Sequence, residues 1–285
     1  MCDARLLTEE KTGTVIAAGE QSAGRGRLGR YWNAEKGESL LFTVILRYGD
    51  FKSIPHCLTL RAGLAASLAI EDVIKDFAAA CHLSPHKMET PHFSGKVMVK
   101  WPNDIMLLDR AGQGRKAAGI LAENENGNVY LGIGVNVAQK QFPPDLYDKA
   151  CSIGQIILAN IFYDVIKTGQ QQALFFKQLS DMRFNILERA LFRLHEDLAN
   201  NTEGLSRGNV FAWREELEKR LYMKGQRVRF FPGEPKELSA RPASAVEGVL
   251  QGIGDGGEIV ILQDSGELCS FTNGELAKTP AFHSE

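Results

Sequence analysis

Four groups of residues have types and spacing suited to chemistry. Gly19 to Trp32 reads GEQSAGRGRLGRYW, in which Arg25, Arg27 and Arg30 alternate with Gly24, Gly26 and Gly29. Glycine admits positive φ and close approach of a ligand to the backbone. Arginine presents a fixed fork of donors that matches phosphate and carboxylate oxygens. The stretch can fold over an anionic ligand. It can also be a solvated basic loop, and on composition alone that is the simpler reading. Lys100-Trp101-Pro102-Asn103-Asp104 sets a lysine at a strand end and a carboxylate in the turn after it. A carboxylate so placed can hold Mg²⁺ or orient a lysine, or can bond its own backbone in a surface turn. Lys116 enters the apolar run Ala118-Gly119-Ile120-Leu121, aimed at a ligand or snorkelling to the surface. Asn136 closes Gly132-Ile133-Gly134-Val135, whose glycines admit close approach to the backbone or mark a bulged strand. The six histidines form no HxH or HExxH spacing, and neither GxSxG nor a Walker-type loop occurs.

The elements that must position these residues follow from pattern. A chain of 285 residues, 44% hydrophobic and 24% charged, can bury a full core as a water-soluble globular protein. A net charge of −2 argues against a nucleic-acid binder held by bulk charge. The five cysteines are widely spaced, with no CxxC pair, which fits a reducing, cytoplasmic setting and no disulfide framework. The first residues lack the basic and apolar regions of a signal peptide, and no apolar run is long enough to cross a bilayer. The pattern predicts a short helix over Asp3–Glu10, a strand over Thr14–Gly19 and then the Gly/Arg loop. Leu40–Leu46 reads as a strand buried on both faces. Leu58–Phe77 reads as a helix and Ala79–Ser94 as a loop. Strands follow at Val97–Lys100 and Ile105–Leu108, with a hairpin around Asn126-Gly127. This half is α+β and not a repeating βαβ unit. Ile156–Glu218 reads as helical with a break near Asn200–Gly208. Four short strands beyond Met223, at Gln226–Phe231, Ala245–Ile253, Ile259–Leu262 and Cys269–Thr272, suggest a small barrel.

Taken together and in order, GRGRLGRYW, KWPNDI, the lysine before AAGILAE, and GIGVNV resemble the biotin protein ligases (biotin–acetyl-CoA-carboxylase ligases). The similarity runs from Thr14 to Asn136 and continues more weakly through Phe142-Pro143-Pro144-Asp145-Leu146. It implies a biotin/lipoate ligase-like catalytic domain over residues 1–222, a mixed β-sheet with flanking helices. It also implies a small C-terminal Src-homology-3-like β-barrel over residues 223–285. The implied activity is ATP-dependent attachment of biotin to a lysine of a biotin carboxyl carrier domain, through biotinyl-5'-AMP. The carrier would belong to acetyl-CoA carboxylase or a related carboxylase. Arg25 and Lys116 would be catalytic, and Gln21, Gly24, Arg25, Gly26, Arg27, Trp32, Lys116 and Gly119 would bind biotin and its adenylate. Lys100, Asn103, Asp104 and Asn136 would line the nucleotide side, with Asp104 at a Mg²⁺ ion. A lipoate- or octanoate-type ligase is the alternative on the same fold. A Gly/Arg nucleic-acid binder or a catalytically weak biotin-binding protein is the non-enzyme alternative. Family members that repress transcription carry an N-terminal winged helix-turn-helix. There is no room for one before Gly19, so no DNA partner is expected; no membrane partner is expected, and a homodimer is left open.

The sequence departs from the family at one place. Biotin ligases usually carry a Ser-Thr pair just before the first helix of the catalytic domain, where the hydroxyls bind the ureido ring and suit a helix N-cap. Met1-Cys2-Asp3-Ala4-Arg5-Leu6-Leu7 resembles the continuation of that motif with the pair missing. Met1 is therefore expected to be an internal methionine of the motif. Each lost hydrogen bond is worth about 0.5–1.5 kcal/mol. Restoring Ser-Thr ahead of Met1 should tighten biotin binding by roughly tenfold or more, measured by calorimetry; an unchanged affinity would refute the idea.

Overall fold

The computed structural model describes residues 4–7, 9–80, 97–160, 166, 168–202, 212–233 and 245–279. Its centre is a six-stranded sheet in the order β1-β4-β8-β7-β6-β5. The strands are β1 (Val15–Ala18), β4 (Ser39–Arg47), β5 (Val97–Lys100), β6 (Asp104–Leu108), β7 (Gly114–Glu125) and β8 (Asn128–Asn136). Every pair is antiparallel, where the resemblance implies a mixed sheet. The reason is local. Short turns join β5 through β8, and such turns return the chain beside itself in the opposite direction. One of them is the predicted Asn126-Gly127 turn, with φ of 52° and 79°.

The continuous apolar run of β4 is buried on both faces, as its pattern requires. Leu40, Phe42, Val44 and Leu46 join a core shared with the long helix α1 (Leu58–Ala80). Ala62, Ala65, Ala66 and Ala69 keep that helix close to the sheet. The predicted helical stretch resolves into α2 (Ile153–Asn160), α3 (Gly169–Asp181), α4 (Arg183–Thr202) and α5 (Ala212–Lys219). Thr168 and Gln171 form a reciprocal cap at the start of α3. Ion pairs tie α4 to α1, among them Arg61–Asp197 at 2.6 Å and Arg189–Asp76 at 2.5 Å. The expected break near 200–208 and the expected loop over 79–94 fall largely outside the described residues.

Two expectations near the N-terminus change. The predicted helix over 3–10 is only a 3-10 turn, Ala4–Leu6. Arg47 fixes the chain after it, donating to the carbonyls of Leu7 (2.9 Å) and Glu10 (2.6 Å). The Gly/Arg stretch is not an open loop. It forms a hairpin of β2 (Gln21–Arg25) and β3 (Tyr31–Ala34) around a 3-10 turn, Arg27–Gly29.

Past α5 the chain builds a second antiparallel sheet in the order β12-β11-β10-β9-β13. These strands are β9 (Arg227–Pro232), β10 (Val246–Ile253), β11 (Ile259–Gln263), β12 (Leu268–Phe271) and β13 (Gly274–Lys278). The last is additional to the four predicted. Leu60 and Leu64 of α1 pack with Val99, Trp101, Met106, Leu221, Phe230 and Ile261 in one apolar cluster that joins this sheet to the first. The backbone joins them too: Val99 N–H donates to Arg220 O and Tyr222 N–H to Val99 O, both at 2.8 Å. That pairing covers the β5 edge, which would otherwise expose open hydrogen-bonding groups. Phe230 is fully buried at this seam, 5.8 Å from Trp101 ring to ring. Phe230→Ala should lower unfolding free energy by about 3–5 kcal/mol in urea denaturation.

Candidate functional site

The site is organised by one row of residues across the large sheet. Register places Lys100 opposite Asp104, Asp104 opposite Gly119, and Gly119 opposite Gly134. Gly134 stands opposite Leu41, and Leu41 opposite Ala18. Residues directly opposite on neighbouring strands share a face, so the row lies on the face away from α1. Its two central members have no side chain. The row is therefore a trough with a backbone floor, charged at one end and apolar at the other.

The β2–β3 hairpin covers the trough. Trp32 lies over the floor so closely that a Cβ on Gly134 would stand 2.9 Å from its Cε2, and one on Gly119 would stand 3.4 Å from its Cζ3. Gly24 is needed for a related reason: a Cβ there would stand 2.2 Å from Trp32 O and 2.7 Å from the Gln21 amide. Among the described residues, Trp32 Nε1 is buried without a hydrogen-bond partner. A buried donor left unpaired is costly unless something supplies the acceptor, so this N–H suits a polar ligand atom in the trough.

Lys116 reaches the same place because of a β-bulge. Ile105 pairs with Ala118 and Met106 with Lys116, so Ala117 is an extra residue in β7. Ala117 and Ala118 are both fully buried in the core under α1. Strict alternation counted back from Gly119 would turn Lys116 toward that core. The bulge reverses the phase and puts Lys116 on the trough face. Its Nζ is 2.7 Å from Asp104 Oδ1 and 5.6 Å from the centre of the Trp32 ring. The Asp104 contact has the distance of an ion pair without hydrogen-bond geometry, since Asp104 Oδ1 has no hydrogen-bond partner. Lys100 stands behind them. Burial holds its ammonium below the ordinary lysine range, partly opposed by Asp104 and Glu275.

Asn103 extends the β6–β7 ladder beyond its end. Its Nδ2 donates to Ile120 O and its carbonyl accepts from Ile120 N, both at 2.9 Å. Its free amide oxygen accepts from Arg27 Nη1 at 3.2 Å. Arg27 and Asn103 thus meet at a cavity of about 230 Å³, lined also by Thr59, Leu121, Ala122 and Thr272.

Of the residues singled out from sequence, Trp32, Lys116, Gly119, Lys100, Asp104, Asn103 and Arg27 converge. Gly24 and Gly26 shape the hairpin; Gly26 N–H donates to Arg30 O at 2.7 Å. Gln21 and Arg25 lie on the exposed side, Arg25 reaching Glu123 at 3.4 Å. Asn136 belongs to a separate buried network: it donates to Cys151 O at 3.2 Å and accepts from Gln139 at 3.1 Å. The sequence reading noted the close approach that Gly134 allows but did not count it among the site residues. It also missed Asn273 and Glu275, which reach Arg27 and Arg30 from the second sheet. The Asn273-Gly274 pair was the available signal for a turn there.

The expected metal fits poorly. Among the described residues no three His, Cys, Asp or Glu side chains gather to hold an ion. Asp104 is shared with one lysine and faced by another. Mg²⁺ asks for oxygen ligands in a near-ideal octahedron, whereas this end of the trough is arranged for an anion. Among the described residues, no helix is long and apolar enough to cross a membrane.

Comparison with known proteins bears on family and fold. Residues 3–139 match the Biotin/lipoate A/B protein ligase family. A "Bifunctional ligase/repressor BirA" of Bacillus subtilis is 33% identical over 150 residues, which are 50% of this chain and 39% of that protein. A "Biotin--[acetyl-CoA-carboxylase] ligase" of Mycobacterium tuberculosis is 36% identical over 135 residues, 47% of this chain and 43% of that protein. The chain thus spans about two fifths of the length of these curated relatives. A biotin protein ligase from Aquifex aeolicus, solved with biotin and ATP, superposes with a TM-score of 0.63 at 24% identity. That match covers 96% of this chain and 92% of the other, and establishes likeness of fold.

The floor predicts how the hairpin responds to one added methyl. Gly134→Ala should leave the sheet folded but lift Trp32. In an NMR spectrum the Trp32 indole N–H should shift while that of Trp101, bonded to Gly257 O at 2.9 Å, stays in place. An unmoved Trp32 resonance would mean that the indole does not rest on the glycines.

Proposed function

From the match of residues 3–139 to the biotin/lipoate A/B protein ligase family, we propose that this chain attaches biotin to a carrier-protein lysine through biotinyl-5'-AMP. The observation that carries the reading is the trough itself, with its backbone floor, its Trp32 cover and the Lys116/Asp104/Lys100 group at one end. Biotin has an apolar chain ending in a carboxylate. The glycine floor suits the chain once the Trp32 indole, which rests on it here, moves aside, and the lysine end suits the carboxylate.

In the first step a biotin carboxylate oxygen attacks the α-phosphorus of ATP. A C–O–P bond forms, the bond to the β-phosphate bridge breaks, and pyrophosphate leaves. Two anions must meet, so the barrier is electrostatic. Lys116, fixed by Asp104, is positioned to stabilise charge on the α-phosphoryl oxygens. Arg27, Asn103 and the cavity beside them suit the nucleotide. Trp32 and the hairpin exclude water, which would otherwise hydrolyse the mixed anhydride. In the second step a lysine amine attacks the acyl carbon, an amide forms, AMP leaves and the amine proton passes to solvent. ATP enters as substrate; its Mg²⁺ would come with its phosphates and not from a site made by this chain alone.

Several finer features belong to the same reading. The second sheet, with the boundary near residues 222–223, would be the Src-homology-3-like barrel of the family. The acceptor would be a biotin carboxyl carrier domain of a carboxylase, a reading supported by the names of two relatives. The setting would be the cytoplasm, where such carriers are made. Lipoate and octanoate also pair an apolar chain with a carboxylate, and turnover with each acid separates the readings.

The first test is pyrophosphate release when biotin is added to chain and ATP. Release with biotin and not with lipoate supports the proposal; none with any acid refutes it. Lys116→Ala should cut that release by about 10²–10³-fold, the usual cost of losing one such donor, with circular dichroism unchanged. Near-normal release in the folded variant would shift the role to Lys100.

A further inference from the structure

The arginines of the hairpin do not point alike. Arg25, at the end of β2, reaches Glu123 on β7 at 3.4 Å, and Arg5 of the N-terminal turn reaches the same carboxylate at 3.7 Å. Arg30, at the start of β3, pairs with Glu275 on β13. Arg27 between them bonds Asn103 at 3.2 Å and Asn273 at 3.4 Å. Each arginine thus has an acceptor, and Arg25 and Arg30, which flank the turn of the hairpin, have ionised ones. Trp32, two residues after Arg30, lies over the trough.

We propose that Glu123 and Glu275 are positioning residues, two carboxylates that clasp the hairpin onto the trough and set how long an adenylate stays covered. The inference takes its catalytic consequence from the ligase reading above, but not its geometry. The exposure of the pairs suits a clasp that must also open. Arg25 is 48% exposed and Glu123 35%; Arg30 is 60% exposed and Glu275 30%. Pairs so exposed are individually weak and screened by salt. A buried pair would lock the hairpin and shut out the acceptor lysine. Two weak pairs, one to each sheet, hold it most of the time and release it readily. Arg25 on this account acts through Glu123 on the cover, while Lys116 carries the charge of the reaction.

The test uses the full chain with Glu123→Gln, Glu275→Gln and the double variant. Without ligand, amide hydrogen exchange is read over residues 21–34. Each single change should speed exchange there by about threefold to fivefold, the double change by the product, with the melting temperature unmoved. High salt should speed exchange in the unaltered chain and add little in the double variant. The swap Arg30→Glu with Glu275→Arg should restore slow exchange. With biotin and ATP, bound adenylate should be lost faster from the Glu123→Gln variant by a similar factor, while its pyrophosphate release in a single turnover stays the same. Unchanged hairpin exchange in the double variant overturns the proposal, and so does faster exchange spread over the whole chain. Faster hairpin exchange in a chain that never releases pyrophosphate would support the clasp and refute the ligase reading instead.

Discussion

The site depends on the absence of two side chains. Gly119 and Gly134 face each other at the centre of the large sheet, and a methyl at Gly134 would stand within 3 Å of the Trp32 ring. Everything else in the trough is arranged around that vacancy. Trp32 can descend to the backbone, its hairpin can lie flat, and Lys116 can run alongside Gly119, where a Cβ would stand 3.2 Å from its Nζ. Glycine in a strand interior weakens the strand by losing packing and restricting less of the unfolded chain. Here the neighbours compensate. β4 and β7 flank β8 along nearly its whole length, and Leu131, Ile133 and Val135 anchor its other face in the core.

The second sheet is part of how the first one works. The turn that holds Asn103 and Asp104 is fixed from both sides: Ile120 on β7, and Trp101, whose indole donates to Gly257 O. The apolar cluster around Trp101 and Phe230 belongs to both sheets, and Tyr222, at the proposed boundary, is itself buried against Val99 and Gly114. Cutting the chain there would bare Leu60, Leu64 and Val99. A role for the second sheet is therefore better judged by point changes at Asn273 and Glu275 than by removal.

Much of this was legible from the residues and some was not. The buried β4, the long α1 and the Asn126-Gly127 hairpin follow directly from pattern, because period and turn chemistry are local properties. The membership of Trp32, Lys116 and Asp104 in one group followed from motif order, which is not local. What failed to show was phase and contact. Nothing in LDRAGQGRKAAGIL announces that Ala117 is an extra residue, because a bulge is defined by the partner strand, and two alanines fit the core as well as one. The Gly/Arg stretch read as a loop because its glycines are turn formers; pairing with Tyr31 and Trp32 turned half of it into strand. Asn136 read as a site residue from its place after Gly134, yet Gln139 and Cys151 O occupy its amide. The partners that Arg27 and Arg30 find on the second sheet, Asn273 and Glu275, lie more than two hundred residues away in sequence, beyond any local pattern.

A backbone floor also limits how this pocket can diversify. Where a pocket is floored by side chains, a smaller residue deepens it and a larger one makes it shallower, so selectivity drifts in small steps. Glycine is already the minimum, and any other residue at Gly119 or Gly134 fills the space Trp32 uses. Graded change must come from the walls and the roof. Leu41 and Ala18 set the apolar end of the row, and Trp32 sets its height. A lineage adapting this scaffold to acids of other lengths would accordingly leave its record in those three positions, with the central glycines unaltered beneath them.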